Sequence, residues 1–138
     1  MKILIVDDER RSLATMKKVL ARRGYDADTA DNGLEALDKL NDFDTHVVIL
    51  DVKMPDMDGM ETLRAIKRKF PIVEVIMLTG HGTNESALEG LKAGASAYLI
   101  KPADIDELIK KVEEAFDRRS RIEEKIRNAG IRKSDRPK

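Results

Sequence analysis

Four short apolar segments of this sequence are each followed directly by side chains that could do chemistry. The segments end at Val6, Leu50, Leu78 and Ile100, and the side chains that follow them are Asp7 with Asp8, Asp51, Thr79 and Lys101. A carboxylate such as Asp51 can act as a nucleophile and form an acyl phosphate. A threonine hydroxyl and a lysine ammonium can take the remaining phosphoryl oxygens. These residue types indicate phosphoryl transfer to Asp51, with Thr79 and Lys101 assisting.

Asp7, Asp8 and Asp51 are the candidate metal ligands of the sequence. Three carboxylates brought close together repel one another strongly unless a cation lies among them. A set of oxygen ligands suits Mg²⁺, which keeps several of its waters when it binds to proteins. The same acids, continued by Glu9, would repel the phosphate of a flavin. We therefore expect Mg²⁺ as the cofactor and no bound flavin.

The apolar segments predict the strands of a parallel sheet. They are short and lack the alternation of a half-exposed strand, which is typical of strands buried on both faces. The segment at 25–30 is more polar and is expected at an edge of the sheet. Strand and helix patterns alternate, which predicts an α/β fold: a doubly wound, flavodoxin-like (βα)5 arrangement with strand order 2-1-3-4-5 and helices on both faces. In that order strands one and three are neighbours, so Asp7, Asp8 and Asp51 meet at one edge of the sheet.

Apolar stripes predict the buried faces of the helices. The second helix has Leu34, Ala36, Leu37 and Leu40, whereas the fourth has only Ala87, Leu88 and Leu91. Gly90 lies inside the fourth helix, where a glycine costs on the order of 1 kcal/mol relative to alanine. We expect this helix to be the least firmly held. The fifth helix begins with Asp104 as its N-cap, and Glu107 stands at the capping-box position.

Length and composition favour one cytoplasmic domain. A chain of 138 residues can bury a sizeable core. It contains no cysteine, which fits a reducing compartment and excludes thiol catalysis. The apolar segments are too short to span a membrane, and Asp7 interrupts the first of them before a secretory signal could form. We expect no membrane partner.

The net charge of zero conceals a basic C-terminal end. Acids outnumber bases by five in residues 1–116, and bases outnumber acids by five in residues 117–138. The basic end lacks aromatic residues and a helix-turn-helix pattern, so we expect a solvated end and no direct binding of nucleic acid. We predict a domain at 1–118 and a helical extension at 119–138, with disorder from 134 onward.

A heptad pattern runs into this extension. Ile122, Ile126 and Ala129 continue apolar positions of the fifth helix at four- and three-residue steps, although Arg119 interrupts them. Two interpretations stay open. The extension is a frayed, charged helix end, or it is a helix that runs to roughly Asn128 and pairs with another copy of the chain as a homodimer.

From Lys2 to about Phe116, the sequence resembles the receiver domain of bacterial two-component response regulators. The motifs that carry the resemblance, in family order and at family spacing, are Asp7-Asp8, Asp51, Met54-Pro55, Gly59, Thr79-Gly80, Tyr98 and Lys101-Pro102. The resemblance implies that Asp51 accepts a phosphoryl group from a sensor histidine kinase and that the backbone carbonyl of Lys53 completes the Mg²⁺ site. It further implies a cis Lys101–Pro102 peptide. Thr79 and Tyr98 resemble a switch pair that alters the face made by helix four, strand five and helix five.

The stretch 78–83 looks like receivers of sigma-54-dependent transcription activators. Lys53 and His81 stand where family residues tune dephosphorylation. The resemblance implies a signalling switch rather than a turnover enzyme, and it leaves the downstream output partner unidentified. The alternative is a Mg²⁺-dependent phosphatase of the haloacid-dehalogenase-like group, with an aspartyl nucleophile. That group has a second aspartate two residues after the nucleophile, where this chain has Lys53.

Overall fold

Strands and helices alternate along the whole chain. The computed structural model describes residues 1–42, 44–51, 59–80 and 84–134. The strands are β1 (Lys2–Val6), β2 (Asp26–Ala30), β3 (Val47–Leu50), β4 (Glu74–Thr79) and β5 (Ala97–Ile100). The helices are α1 (Arg10–Arg22), α2 (Gly33–Asp42), α3 (Gly59–Lys69), α4 (Asn84–Lys92) and α5 (Ile105–Ser134). This order confirms the predicted (βα)5 alternation.

The five strands form one parallel sheet in the order β2-β1-β3-β4-β5, as predicted. Every residue of β3 is buried, as expected for the central strand of a sheet covered on both faces. The more polar strand β2 lies at an edge. In the register between β1 and β3, Val6 pairs with Leu50, so the residues that follow these two strands emerge side by side.

Two apolar clusters, one on each face of the sheet, hold the layers together. Alternate residues of β1 point to opposite faces, so Ile3 and Ile5 belong to one cluster and Leu4 and Val6 to the other. Helices α1 and α5 pack on the first face, and α2 and α3 pack on the second. Burying one such aliphatic side chain contributes roughly 1.5–3 kcal/mol, which is why the short strands hold their positions.

Leu34 does not belong to the buried stripe of α2. The prediction that placed it there was wrong, because its side chain is 62% exposed. Ala36 and Leu40 form the buried face of this helix. Leu34 lies two residues before Ala36, which turns it by about 200° around the helix axis and towards solvent.

The expected apolar face of α4 was also wrong. Leu88 and Leu91 are 54% and 46% exposed. Among residues 85 and 87–92, the part of α4 whose burial is described, only Gly90 is buried. A Cβ added at Gly90 would lie 3.5 Å from Cδ2 of Tyr98 and 3.7 Å from Cγ of Met77. Helix α4 therefore faces the sheet through Gly90, and its two leucines turn outward.

Helix α5 begins as predicted and continues further than expected. The backbone N–H of Asp106 donates to Oδ1 of Asp104 at 3.0 Å, which confirms Asp104 as the N-cap. The helix extends past Asn128 to Ser134, a residue that we expected to be disordered. Residues 135–138 lie outside the described residues. In the part of the chain that the structure describes, no helix combines the length and apolar character that a membrane span requires.

Candidate functional site

The two central strands deliver Asp7 and Asp51 to the same edge of the sheet. The backbone N–H of Asp51 donates to the carbonyl of Val6 at 2.9 Å, which continues the β1–β3 pairing by one step. Asp7 and Asp51 are only 6% and 9% exposed, whereas Asp8 is exposed. One carboxylate oxygen from each of the three acids lies within 4.8 Å of the others. The predicted convergence of the three candidate metal ligands is thus present in the structure.

Lys101 extends from the end of β5 towards these acids. Its Nζ lies 2.8 Å from Oδ2 of Asp7 and 3.8 Å from Oδ2 of Asp51. The strand delivers it because β5 pairs with β4 and ends directly before Lys101. The Lys101–Pro102 peptide is cis, as the resemblance implied.

The charges of the site shift one another's pKa values. Burial alone would raise the pKa of Asp7, but hydrogen bonds from Lys101 and from the backbone N–H of Glu9 outweigh it and lower the pKa. The pKa of Asp8 is raised, through its own desolvation and through the neighbouring Asp7 carboxylate. Burial would lower the pKa of Lys101, yet its hydrogen bond and attraction to Asp7 raise it. The lowered pKa of Asp7 and the raised pKa of Lys101 favour the ionised form of both groups, whereas the raised pKa of Asp8 disfavours its ionised form.

The hydrogen bond from the backbone N–H of Glu9 to Asp7 was not predicted from the sequence. The backbone N–H of Glu9 donates to Oδ1 of Asp7 at 3.0 Å. Aspartates commonly form such a bond two residues ahead in turns, and Asp7 stands three residues before α1 begins. That spacing is the feature of the sequence from which the bond could have been predicted. The bond fixes the rotamer of Asp7 so that Oδ2 faces Lys101.

Tyr98 lies beside the site on β5. Its ring lies beside Gly90 of α4, where an added Cβ would be 3.5 Å from Cδ2. The hydroxyl is shielded from solvent without a hydrogen-bond partner among the described residues. Burial and the negative charge of Asp51 raise the pKa of the phenol. Thr79 is the last residue of β4, at the same edge of the sheet. Lys53 and His81, both named in the sequence interpretation, lie outside the described residues.

A cavity of about 620 Å³ opens between α1 and α5, next to the acids. Asp7, Asp51 and Lys101 line its polar end, and Met16, Ile105 and Leu108 line its apolar part. The sequence pattern did not predict this cavity. It makes the buried carboxylate of Asp51 reachable from the side of α1.

Comparison with known proteins identifies the family. Residues 3–113 match the response regulator receiver domain. The chain belongs to the response-regulator receiver family. Receivers of this family are signalling modules of two-component systems, and the recognition made from the sequence motifs is confirmed.

The receiver has relatives among transcriptional regulators. It is 40% identical over 114 residues to the transcriptional regulatory protein ZraR of Klebsiella oxytoca. The aligned region covers 83% of this chain and 26% of ZraR. It is also 40% identical over 130 residues to a CpxR homologue of Haemophilus influenzae, covering 94% of this chain and 56% of that protein. The chain thus spans only about a quarter to a half of these relatives.

Solved structures of receivers have the same fold. A CheY-like receiver from Methanospirillum hungatei gives a TM-score of 0.82 at 34% identity, covering 87% of this chain and 96% of the other. The beryllofluoride-activated NtrC4 receiver dimer gives a TM-score of 0.80 at 35% identity, covering 86% and 98%. Both comparisons support the doubly wound sheet described above.

The acidic cluster fits a divalent metal ion. Its donors are carboxylate oxygens, and two of the three acids are buried. Desolvation and then the Asp7 carboxylate raise the pKa of Asp8, so a cation would favour its ionised form. Magnesium prefers such hard oxygen ligands and keeps part of its water shell. Asp7, Asp8 and Asp51 are therefore compatible with a metal site in this receiver.

Proposed function

We propose that this receiver is a phosphorylation-controlled switch in which Asp51 accepts a phosphoryl group from the phosphohistidine of a sensor histidine kinase. The observation that supports this most directly is the convergence of Asp7, Asp8 and Asp51 with the ammonium of Lys101 at one sheet edge. No other arrangement in the described part of the chain brings three acids so close together.

In the proposed step, a carboxylate oxygen of Asp51 attacks phosphorus. An O–P bond forms, the P–N bond to the histidine breaks, and the imidazole leaves with the electron pair of that bond. The product is an aspartyl phosphate, and the reaction needs no oxidant or reductant. Mg²⁺, held by Asp7, Asp8, Asp51 and the backbone carbonyl of Lys53, would neutralise charge on the phosphoryl oxygens.

The remaining side chains position the phosphoryl group. Lys101 lies 3.8 Å from Asp51, which places its ammonium within reach of a phosphoryl oxygen on that residue. A preorganised cation of this kind stabilises charge that develops during transfer without having to reorganise. The hydroxyl of Thr79, at the end of β4, is proposed to take a second oxygen.

We propose that the signal leaves through the face made by α4, β5 and α5. Phosphorylation would draw Thr79 towards the phosphoryl oxygens and change the packing of Tyr98, whose ring lies beside Gly90 of α4. Leu88 and Leu91 already stand exposed on α4, so a small displacement of that helix would alter an apolar surface. A sensor histidine kinase acts upstream, and the output partner would bind this face. By analogy with ZraR, the chain would act in a transcriptional regulator.

Phosphorylation at Asp51 can be tested with acetyl phosphate or phosphoramidate as small phosphoryl donors. We expect Mg²⁺-dependent addition of one phosphoryl group, measured by intact-mass spectrometry, and its loss in Asp51→Asn. Asp117→Asn is the matched control, because Asp117 is exposed on α5 beside Arg118, which contacts Glu74 at the start of β4, the end of the sheet opposite the acids. Equal phosphorylation of the parent chain and Asp51→Asn would contradict the assignment.

The phosphatase alternative makes a different prediction. A phosphatase would turn over p-nitrophenyl phosphate many times per protein molecule, whereas a switch would not. Lys53 occupies the position at which that class has its general acid. Steady release of nitrophenol that depends on Asp51 would favour the phosphatase over the switch.

A further inference from the structure

Arg119 is buried although it lies on the solvent-exposed C-terminal part of α5. Its residue exposure is 5%, and the next residue, Ser120, is exposed. The guanidinium donates to the backbone carbonyl of Thr45 and lies 3.4 Å from Oδ1 of Asp44. Its Nε donates to Oε1 of Glu123, one turn further along the helix, at 2.5 Å. One side chain thus joins α5 to the segment that leads into β3.

Arg118 makes a second connection to the sheet. Its Nε lies 3.7 Å from Oε1 of Glu74, the first residue of β4. Glu74 is only 5% exposed, and its Oε2 accepts a hydrogen bond from the hydroxyl of Ser96 at 2.7 Å. Successive residues of a helix point about 100° apart, so Arg118 reaches β4 while Arg119 reaches the segment before β3.

These contacts lie at the end of the sheet opposite the acidic cluster. Thr45 precedes β3, and Asp51 follows it. Arg118 and Arg119 also lie beyond residues 3–113, the part of the chain that matches the family domain.

We propose that Arg118 and Arg119 form a latch that fixes the direction in which α5 leaves the receiver body. The planar guanidinium of Arg119 holds three acceptors at once, from Thr45, Asp44 and Glu123. Such a joint makes the part of α5 after Arg119 a rigid arm with one orientation relative to the sheet. Whatever the arm carries or pairs with is then positioned by the body of the receiver.

Distance measurements between two spin labels test the latch. The chain has no cysteine, so Lys18→Cys on α1 and Lys125→Cys on α5, both at exposed positions, provide unique labelling sites. We expect one narrow distance distribution in the parent chain and loss of that single narrow peak in Arg119→Met. Arg121→Met is the matched control, because Arg121 is exposed on the same helix and should leave the distribution unchanged.

Hydrogen exchange provides a second measurement. Losing charge-assisted hydrogen bonds should lower the protection of residues 120–128 by about tenfold or more in Arg119→Met, with β1 and β3 unchanged. If Arg119→Met does not fold, Arg118→Met offers the same two measurements from a half-exposed residue. A narrow distribution and parent-like protection in the folded variant would overturn the proposal. Asp51→Asn should retain the latch, so failure of the phosphorylation proposal is distinguishable from failure of this one.

Discussion

The ammonium of Lys101 lies 2.8 Å from a carboxylate oxygen of Asp7, a full ångström closer than its 3.8 Å approach to Asp51. In this arrangement Lys101 is held mainly by a candidate metal ligand and not by the candidate phosphoryl acceptor. Asp7 is also held by the N–H of Glu9. The contact with Asp7 thus prepositions the cation beside Asp51.

Removing this cation should slow phosphorylation. We expect Lys101→Met to lower the rate of Mg²⁺-dependent phosphorylation by a factor on the order of 10²–10³, as for the loss of other preorganised charge-stabilising groups. The variant should also raise the pKa of Asp7, because the hydrogen bond and charge of Lys101 lower it in the parent chain. Phosphorylation time courses and the carboxyl resonance of Asp7 in NMR titrations measure the two effects. Parent-like rates would exclude a role for Lys101 in transfer.

The Asp8 carboxylate should destabilise the folded chain when no metal ion is bound and stabilise it when Mg²⁺ binds. Its pKa is raised by desolvation and by Asp7, so its ionised form is disfavoured in the folded chain without metal. We therefore expect Asp8→Asn to raise the thermal midpoint in the absence of Mg²⁺. Addition of Mg²⁺ at about 100 times its Kd should stabilise the parent chain by about 2.7 kcal/mol and the variant much less. Thermal unfolding with and without Mg²⁺, with EDTA as the metal-free reference, provides the comparison, and equal stabilisation of both proteins would contradict it.

The sheet and the acidic site were predictable because they depend on local pattern. Buried strands appear as continuous apolar segments, and a residue that directly follows such a segment must lie at the carboxyl edge of a parallel sheet. This is why Asp7, Asp51 and Lys101 could be brought together from the sequence alone. Contacts between residues far apart in the chain give no such pattern.

Arg119 illustrates what the sequence concealed. It was interpreted as an interruption of a heptad seam, yet its acceptor on Thr45 lies 74 residues earlier in the chain. Similarly, Leu88 and Leu91 suggested the buried face of α4, because apolar periodicity does not show that a glycine can form the contact. Gly90 does so, since Tyr98 and Met77 lie next to it. In both cases three-dimensional packing overrode a local pattern.

Gly90 and Gly94 form a matched pair for testing the packing of α4. A methyl group at Gly90 would meet Tyr98 at an ordinary contact distance of 3.5 Å, so Gly90→Ala should stabilise the chain by about 0.5–1 kcal/mol through helix propensity. Gly94 has φ +109° and a Cβ there would lie 3.1 Å from Cγ of Lys67, so Gly94→Ala should destabilise the chain. Urea unfolding measures both. Destabilisation by Gly90→Ala would show that the contact with Tyr98 has no room for a methyl group.

His46 should make stability depend on pH near neutrality. Burial, and then the positive charge of Arg119, lower its pKa below the ordinary value of 6.5, and its Nδ1 accepts a hydrogen bond from the N–H of Lys2 at 3.0 Å. A histidine whose pKa is lowered on folding contributes stability that is complete above about pH 6.5 and is lost as the pH falls below that value. We expect the free energy of unfolding to fall in this direction, and His46→Gln to reduce the fall. Arg119→Met should raise the pKa of His46 in NMR titrations. An unchanged pKa would show that the charge of Arg119 does not influence His46.

Self-association through the extension can be tested by truncation, and the contacts of Arg119 determine where the truncation should begin. Deleting residues 119–138 would remove Arg119 and its contacts with Thr45 and so damage the receiver body. A deletion of residues 124–138 preserves both Arg119 and Glu123 and is the better truncation. Ile126 is 55% exposed on α5, so pairing of two extensions would bury an apolar side chain that one copy leaves in water.

Sedimentation at high protein concentration distinguishes the two states of the extension. If two copies pair, the parent chain should sediment as a dimer, and both the 124–138 deletion and Ile126→Glu should shift it towards monomer. Lys125→Glu is the control, since it changes charge at the neighbouring exposed position without removing an apolar group. Phosphorylation of Asp51 should proceed in all four proteins, because the acidic cluster lies at the opposite end of β3 from Thr45 and Arg119. Identical sedimentation of the four, with and without beryllofluoride, would show that the arm does not pair.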